Sequence, residues 1–176
     1  MPRSRWNDPL AHVLLSSMPA EAKLLAVLAI MGLAAWTVVA KVHVVPLLDR
    51  LPKRRALVVV LTPQMFRTVG ALALFPGVGA TPAEWARPLA IGDGVTAALA
   101  MVAVLTLHAS WRHAMKAAWV ATAFGLVDLL HNAFNSVRLQ VAPTLGPIAY
   151  VVAFGVPLML VCHLLAIRAL MRKASD

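Results

Sequence analysis

The sequence contains a single cysteine, Cys162, so no disulfide can close within the chain and no metal centre can be built from several thiolates. Cys162 sits in an apolar run, where a thiol behaves as a small buried hydrophobe. Charge is scarce too. Only 13% of the residues are charged, against about a quarter in an ordinary globular protein. Several enzyme signatures are missing: there is no Gly-x-Ser-x-Gly, no His-Glu-x-x-His and no phosphate-binding glycine loop. The methionines are scattered without a repeated copper-type pattern. No internal repeat and no low-complexity tract occurs. The ten-residue alternation of a membrane β-barrel is absent.

Apolar residues are what the chain has instead, at 61% of the total. Such an excess suits side chains that meet lipid, because acyl tails ask for no polar cover. The 176 residues suit one domain. The net charge of +9 raises the question of nucleic acid. The basic residues lie beside the apolar runs, however, and no aromatic-rich basic surface accompanies them. Anionic lipid and topology control account for the charge, and no nucleic-acid partner is expected.

Five segments approach the roughly 20 residues a spanning helix needs. They run from about Leu24 to Val45, Ala56 to Phe75, Leu89 to His108, Ala117 to Asn135 and Leu145 to Leu170. The expected fold is an all-α integral membrane bundle occupying residues 24–170. A polar tail or surface segment (1–23) precedes it, and a short tail (171–176) follows. An amphipathic turn at Leu10–Leu15 can lie on the membrane surface or belong to a loose tail. The first apolar run comes too late, and is too long, for a simple cleavable signal peptide.

Between the second and third spans, Thr81-Pro82-Ala83-Glu84 has the pattern of a capping box, with proline where the helix needs no donor. It predicts a short surface helix with Trp85 at headgroup depth. Trp111, Trp119 and Tyr150 fall near expected interfaces. Pro157 should kink the fifth span and free a carbonyl that a neighbour or water must satisfy. Lys41, Arg50, the run Lys53–Arg55, Arg112, Lys116, Arg168, Arg172 and Lys173 fall on one side. Arg3, Arg5, Lys23, Arg87 and Arg138 fall on the other. The richer side is expected in the cytoplasm, with the N-terminus outside and the C-terminus inside.

A charge at mid-bilayer costs about 2.5–3.5 kcal/mol, so Arg67, Asp93 and Asp128 each need a reason. Asp128, His131, Asn132 and Asn135 fall at i, i+3, i+4 and i+7 of one helix, with Gly125 and Ala121 extending the stripe. Gln64, Arg67, Thr68 and Ala71 repeat that spacing in the second span. Asp93, Thr96, Ala97 and Ala100 repeat it in the third. Small residues in such stripes let helices approach closely. Arg67 is expected to pair with Asp128, or with Asp93, because a planar guanidinium can engage a carboxylate through two hydrogen bonds. The pairing serves either a helix clasp or a site for a small molecule or ion.

The candidate ligand-binding residues are therefore Arg67, Asp93, Asp128, His131, Asn132 and Gln64, between the second, third and fourth spans. Arg67 would meet an anionic or carbonyl-bearing ligand, and His131 would pass on a proton. Asp128-x-x-His131 also has a spacing that places two metal ligands on one helical face, but partners for it are lacking. Gly92-Asp93-Gly94 reads as a flexible helix start or a close packing contact. An alternative is a redox subunit whose haem b is held between His108 and His163, the histidines of best-matched depth. A third reading is a structural or assembly subunit that packs on a membrane-protein partner or a second copy of itself. An enzyme using Asp128 and His131 comes last.

The stretches TPQMFRTVG, IGDGVTAALA, GLVDLL and LMLVCHLLAIR resemble small multi-pass bacterial membrane proteins of unassigned function, over most of the chain from the second span onward. The resemblance implies a multi-pass protein of the bacterial cytoplasmic (inner) membrane. It carries no catalytic or ligand role onto these positions.

Overall fold

The computed structural model describes residues 19–75 and 77–172. The expected surface turn at Leu10–Leu15, Arg3, Arg5 and Lys173 lie outside the described residues. Among the described residues every regular element is helical, and the fold is all-α. Five helices are long and apolar enough to cross a membrane: α1 (Ala20–Arg50), α2 (Lys53–Leu74), α3 (Ala83–His108), α4 (Ala114–Arg138) and α5 (Ile148–Met171). Each contains most of one segment expected from hydropathy.

Proline lies inside four of the five helices and is accommodated in different ways. Proline has no N–H and clashes with the carbonyl four residues back. In α1 a wide π turn, Ala40–Val44, stands two residues before Pro46, and the helix continues to Arg50 instead of stopping near Val45. In α5 the same arrangement recurs, with a π turn at Val151–Gly155 before Pro157. Here α1 serves the loosened backbone. Trp36 Nε1 donates to the Phe154 carbonyl at 3.1 Å. Gly32 lies so close to the Ala153 carbonyl that a β-carbon would come within 2.5 Å of it. Helix α1 is thus the neighbour that packs on the loosened turn. In α2 the helix is α from Lys53 to Leu61, then 3-10 from Thr62 to Leu74, with Pro63 at the change.

Helices α2, α3 and α4 pack in chain order with α3 in the middle. Helix α5 lies against α4 and the first half of α2, and α1 lies against α5 and the turn Ala142–Thr144. At the end where α2 begins, Leu57, Leu61, Leu107 and Leu165 fill a core among Ala100, Ala103, Ala114, Ala118 and Ala166. Small faces there let backbones approach closely. Cations tie the ends of three helices together. Lys53 Nζ donates to the carbonyls of Leu170 (2.7 Å) and Arg172 (2.8 Å). The Arg172 guanidinium donates to those of Leu48 (2.9 Å) and Leu51 (2.7 Å). These carbonyls lie at or just past helix C-termini, where positive charge is favoured, and that of Leu48 also accepts from the Leu51 N–H.

The other end has its own core of Ala73, Trp85, Ala86, Val141, Leu145 and Ile148. This corrects the reading of the Thr81–Glu84 region. Pro82, not a side chain, caps the helix, and α3 runs through Pro88 without a separate surface piece. The Thr81 hydroxyl donates to the Ala73 carbonyl at 3.0 Å instead. Trp85 is 3% exposed, with Nε1 donating to Ser136 Oγ at 2.9 Å. An indole whose N–H finds an interior acceptor gains more by burial than at a headgroup.

Candidate functional site

The change to 3-10 winding in α2 decides which side chains meet. A 3-10 helix has three residues per turn, so side chains at i and i+3 eclipse, and runs beyond 3–4 residues are uncommon. Here the run is 13 residues, and its buried positions are Gln64, Arg67, Gly70 and Ala73. The expected stripe of Gln64, Arg67, Thr68 and Ala71 assumed α winding. Thr68 is exposed and Ala71 only half-buried, so Gly70 and Ala73 take their places. On α3 the expected stripe holds: Asp93, Thr96, Ala97 and Ala100 are all buried. On α4, Ala121, Gly125 and Asn132 are buried and Asp128 is half-buried.

Arg67, 3% exposed, reaches both aspartates at once. Its Nε donates to Asp93 Oδ1 at 2.7 Å, and its Nη2 donates to Asp128 Oδ2 at 2.6 Å and also pairs with Asp93 Oδ1. Nη1 donates to the Gly125 carbonyl at 2.9 Å. Asn132 Nδ2 holds the other oxygen of Asp128 at 3.0 Å. Three helices therefore converge on one guanidinium, and the choice between Asp93 and Asp128 is resolved as both. Glycines make the space. A β-carbon on Gly70 would overlap the Asp93 carboxylate, and one on Gly92 would overlap that of Asp128. Gly92 is thus the close packing contact of the Gly92-Asp93-Gly94 stretch, whereas Gly94 faces open space.

Gln64 lies one 3-10 turn before Arg67 and donates from Nε2 to the Met159 carbonyl of α5 at 3.1 Å. His131 stands apart from the cluster. It is exposed, and its Nε2 lies 2.8 Å from Asn135 Nδ2. The i+3 position on α4 turns away from Arg67, while i+4, Asn132, turns toward it.

The structure separates the two histidines paired for haem. His163 is fully buried, and a β-carbon on Gly125 would come within 2.7 Å of both its Cε1 and Thr96 Cγ2. His108 is exposed at the end of α3, twelve residues beyond Thr96 and so about 18 Å further along the helix. One iron cannot bind both. The depth match was misjudged because His163 lies at the level of Gly125 and Thr96, well inside the bundle.

A cavity of about 690 Å³ adjoins the cluster. Arg67, Gly70, Asp93 and Asn132 form its polar wall, with Leu25, Ala29, Leu89, Leu129, Val152 and Met159 among its apolar lining. Its volume lies within the range of ligand pockets, roughly 300–1,000 Å³. It exists because α1 leans on α5 and leaves space beside α3 and α4. Sequence reasoning missed the glycine beds for the carboxylates, the burial of Trp85 and the meeting of His163 with Gly125. The three-residue spacing of Gln64, Arg67, Gly70 and Ala73 after Pro63 was the available signal.

Fold and site together define an all-α bundle of five long apolar helices around a buried arginine shared by two aspartates. A family described as a domain of unknown function, DUF8737, matches residues 24–171, and the chain belongs to that family. No curated protein and no solved structure matches it.

Proposed function

We propose that the chain is a multi-pass protein of the bacterial cytoplasmic membrane, N-terminus outside, that binds or permeates a small amphipathic molecule with a cationic or hydrogen-donating head. The observation carrying this is the cavity of about 690 Å³ whose apolar walls end at Arg67 and Asp93. Arg67 cannot serve as a free positive charge, because its donors are engaged by Asp93, Asp128 and the Gly125 carbonyl. The cluster sums to one guanidinium and two carboxylates, so with both carboxylates ionised it has one negative charge in excess. In a low dielectric that excess calls for a proton or a cationic group. Helices α1 and α5 border the apolar part, which favours an occupant drawn from the bilayer. The small-residue faces are consumed within the chain, which removes the support an assembly role would draw from them.

The test uses octylammonium, octanol and octanoate added to the protein in lipid nanodiscs, with thermal unfolding as readout. Octylammonium should stabilise most and octanoate least. Ala29→Phe, which fills the cavity without touching the ion cluster, should remove the difference. Equal shifts for amine and carboxylate, or a difference that survives Ala29→Phe, would contradict the assignment.

A further inference from the structure

Five buried side chains carry polar atoms with no hydrogen-bond partner among the described residues; one is Arg54, at the basic end, and the other four lie one turn from the ion cluster. The atoms of these four are Gln64 Oε1, Thr96 Oγ1, Thr122 Oγ1 and both ring nitrogens of His163. None of these four residues is more than 1% exposed. Gln64 precedes Arg67 by three residues on α2, and Thr96 follows Asp93 by three on α3. Thr122 precedes Gly125 by three on α4. Helices α2, α3 and α4 run in alternating directions, so all three steps point the same way, toward the end where α2 begins. Helix α5 completes the layer with His163 in contact with Gly125 and Thr96, and with Met159, one turn earlier, bound to Gln64.

The cavity lies on the opposite side of the cluster. Its α2 wall is Arg67, Val69 and Gly70, and its α3 wall is Trp85, Leu89 and Asp93. The cluster therefore separates an apolar cavity from a layer of unmet polar groups. A buried polar group left without a partner forfeits the hydrogen bonds it made to water, and the layer has five such atoms. Buried groups of this kind are ordinarily satisfied by ordered water making two to four hydrogen bonds.

We propose that Gln64, Thr96, Thr122 and His163 form a buried water-binding layer with which the Arg67–Asp93–Asp128 cluster exchanges protons. The chemistry suits it. Threonine hydroxyls donate and accept, the Gln64 oxygen accepts, and imidazole takes a proton on one nitrogen while releasing one from the other. A proton taken from a water of the layer by a cluster carboxylate returns to a water of the same layer, and no electron moves. The charged groups nearest the ring are Arg67, Asp93 and Asp128, from α2, α3 and α4. Helix α1 has no charged residue between Lys23 and Lys41. The exchange does not depend on the cavity accepting an amine.

The test is water-edited solid-state NMR on the full chain labelled with 15N-histidine in liposomes, with His163→Phe identifying the signal. Magnetisation should pass from water to the His163 ring nitrogens, and their protons should exchange rapidly in deuterated buffer. Thr96→Val combined with Thr122→Val keeps the side-chain shape and removes both hydroxyls. It should abolish the water transfer and slow the exchange by at least an order of magnitude. A wild-type ring without water contact, or a contact unchanged in the double variant, would overturn the proposal.

Discussion

Arg67 shows how a charge is kept in an apolar bundle. Its guanidinium donates in three directions, to carboxylates on α3 and α4 and to the Gly125 carbonyl. Removing one partner of a buried ion pair typically costs about 3–5 kcal/mol, because the other charge is left uncompensated. The glycines beside it offer a sharper check. Within a helix, glycine is usually less stable than alanine by about 1 kcal/mol. Gly94 faces open space, so Gly94→Ala should leave the stability of the purified protein unchanged or raise it by that order. Gly92 sits against the Asp128 carboxylate, so Gly92→Ala should reverse the sign and lower it. Equal behaviour of the two variants in thermal unfolding would mean that Asp128 is not held where the structure puts it.

Among the elements, α2 is the unusual one. At about 2.0 Å rise per residue its 3-10 half is longer than an α-helix of 13 residues would be, by roughly 6 Å. The winding brings Gln64, Arg67, Gly70 and Ala73 into one line facing α3. Nitroxide labels at Thr68 and Ala73, read by collision with oxygen dissolved in the lipid, distinguish this from α winding. The label at Thr68 should be accessible and that at Ala73 protected. Protection at Thr68 would restore the α register. The existence and rough extent of all five helices were legible from hydropathy, as were the stripe on α3 and, apart from His131, that on α4. The α2 register was not, because spacings of three and four are equally consistent with an i, i+3 pair. What selects three per turn is the packing of Gly70 on Asp93, a contact on another helix.

For the molecule as a whole, the basic end works as a latch. Lys53 and Arg172 exchange hydrogen bonds with the terminal carbonyls of each other's neighbours, joining α1, α2 and α5. Hydrogen bonds from charged donors contribute about 1.5–3 kcal/mol, whereas an exposed ion pair contributes about 0–1 kcal/mol. The Arg168–Asp49 pair is half exposed and belongs to the second kind. Lys53→Met or Arg172→Met should therefore lower stability in denaturant unfolding clearly more than Arg168→Met does. Similar losses for all three would mean that the carbonyl contacts are solvated alternatives to water. Lys53 and Arg172 thus close helix ends by their positions.

Composition and periodicity alone determined the all-α class, the five apolar helices and the three charges that demanded an explanation. Those features are local: apolar length and residue spacing exist before any helix meets another. Tertiary structure decided that Arg67 binds both aspartates, that His131 stays out and that His163 comes in beside Gly125. It also decided that Trp85 is interior. Each of those outcomes depends on how closely two backbones approach and how each helix is rotated. Glycines at the contacts and prolines within the helices set that geometry, and their effect appears only when the helices pack.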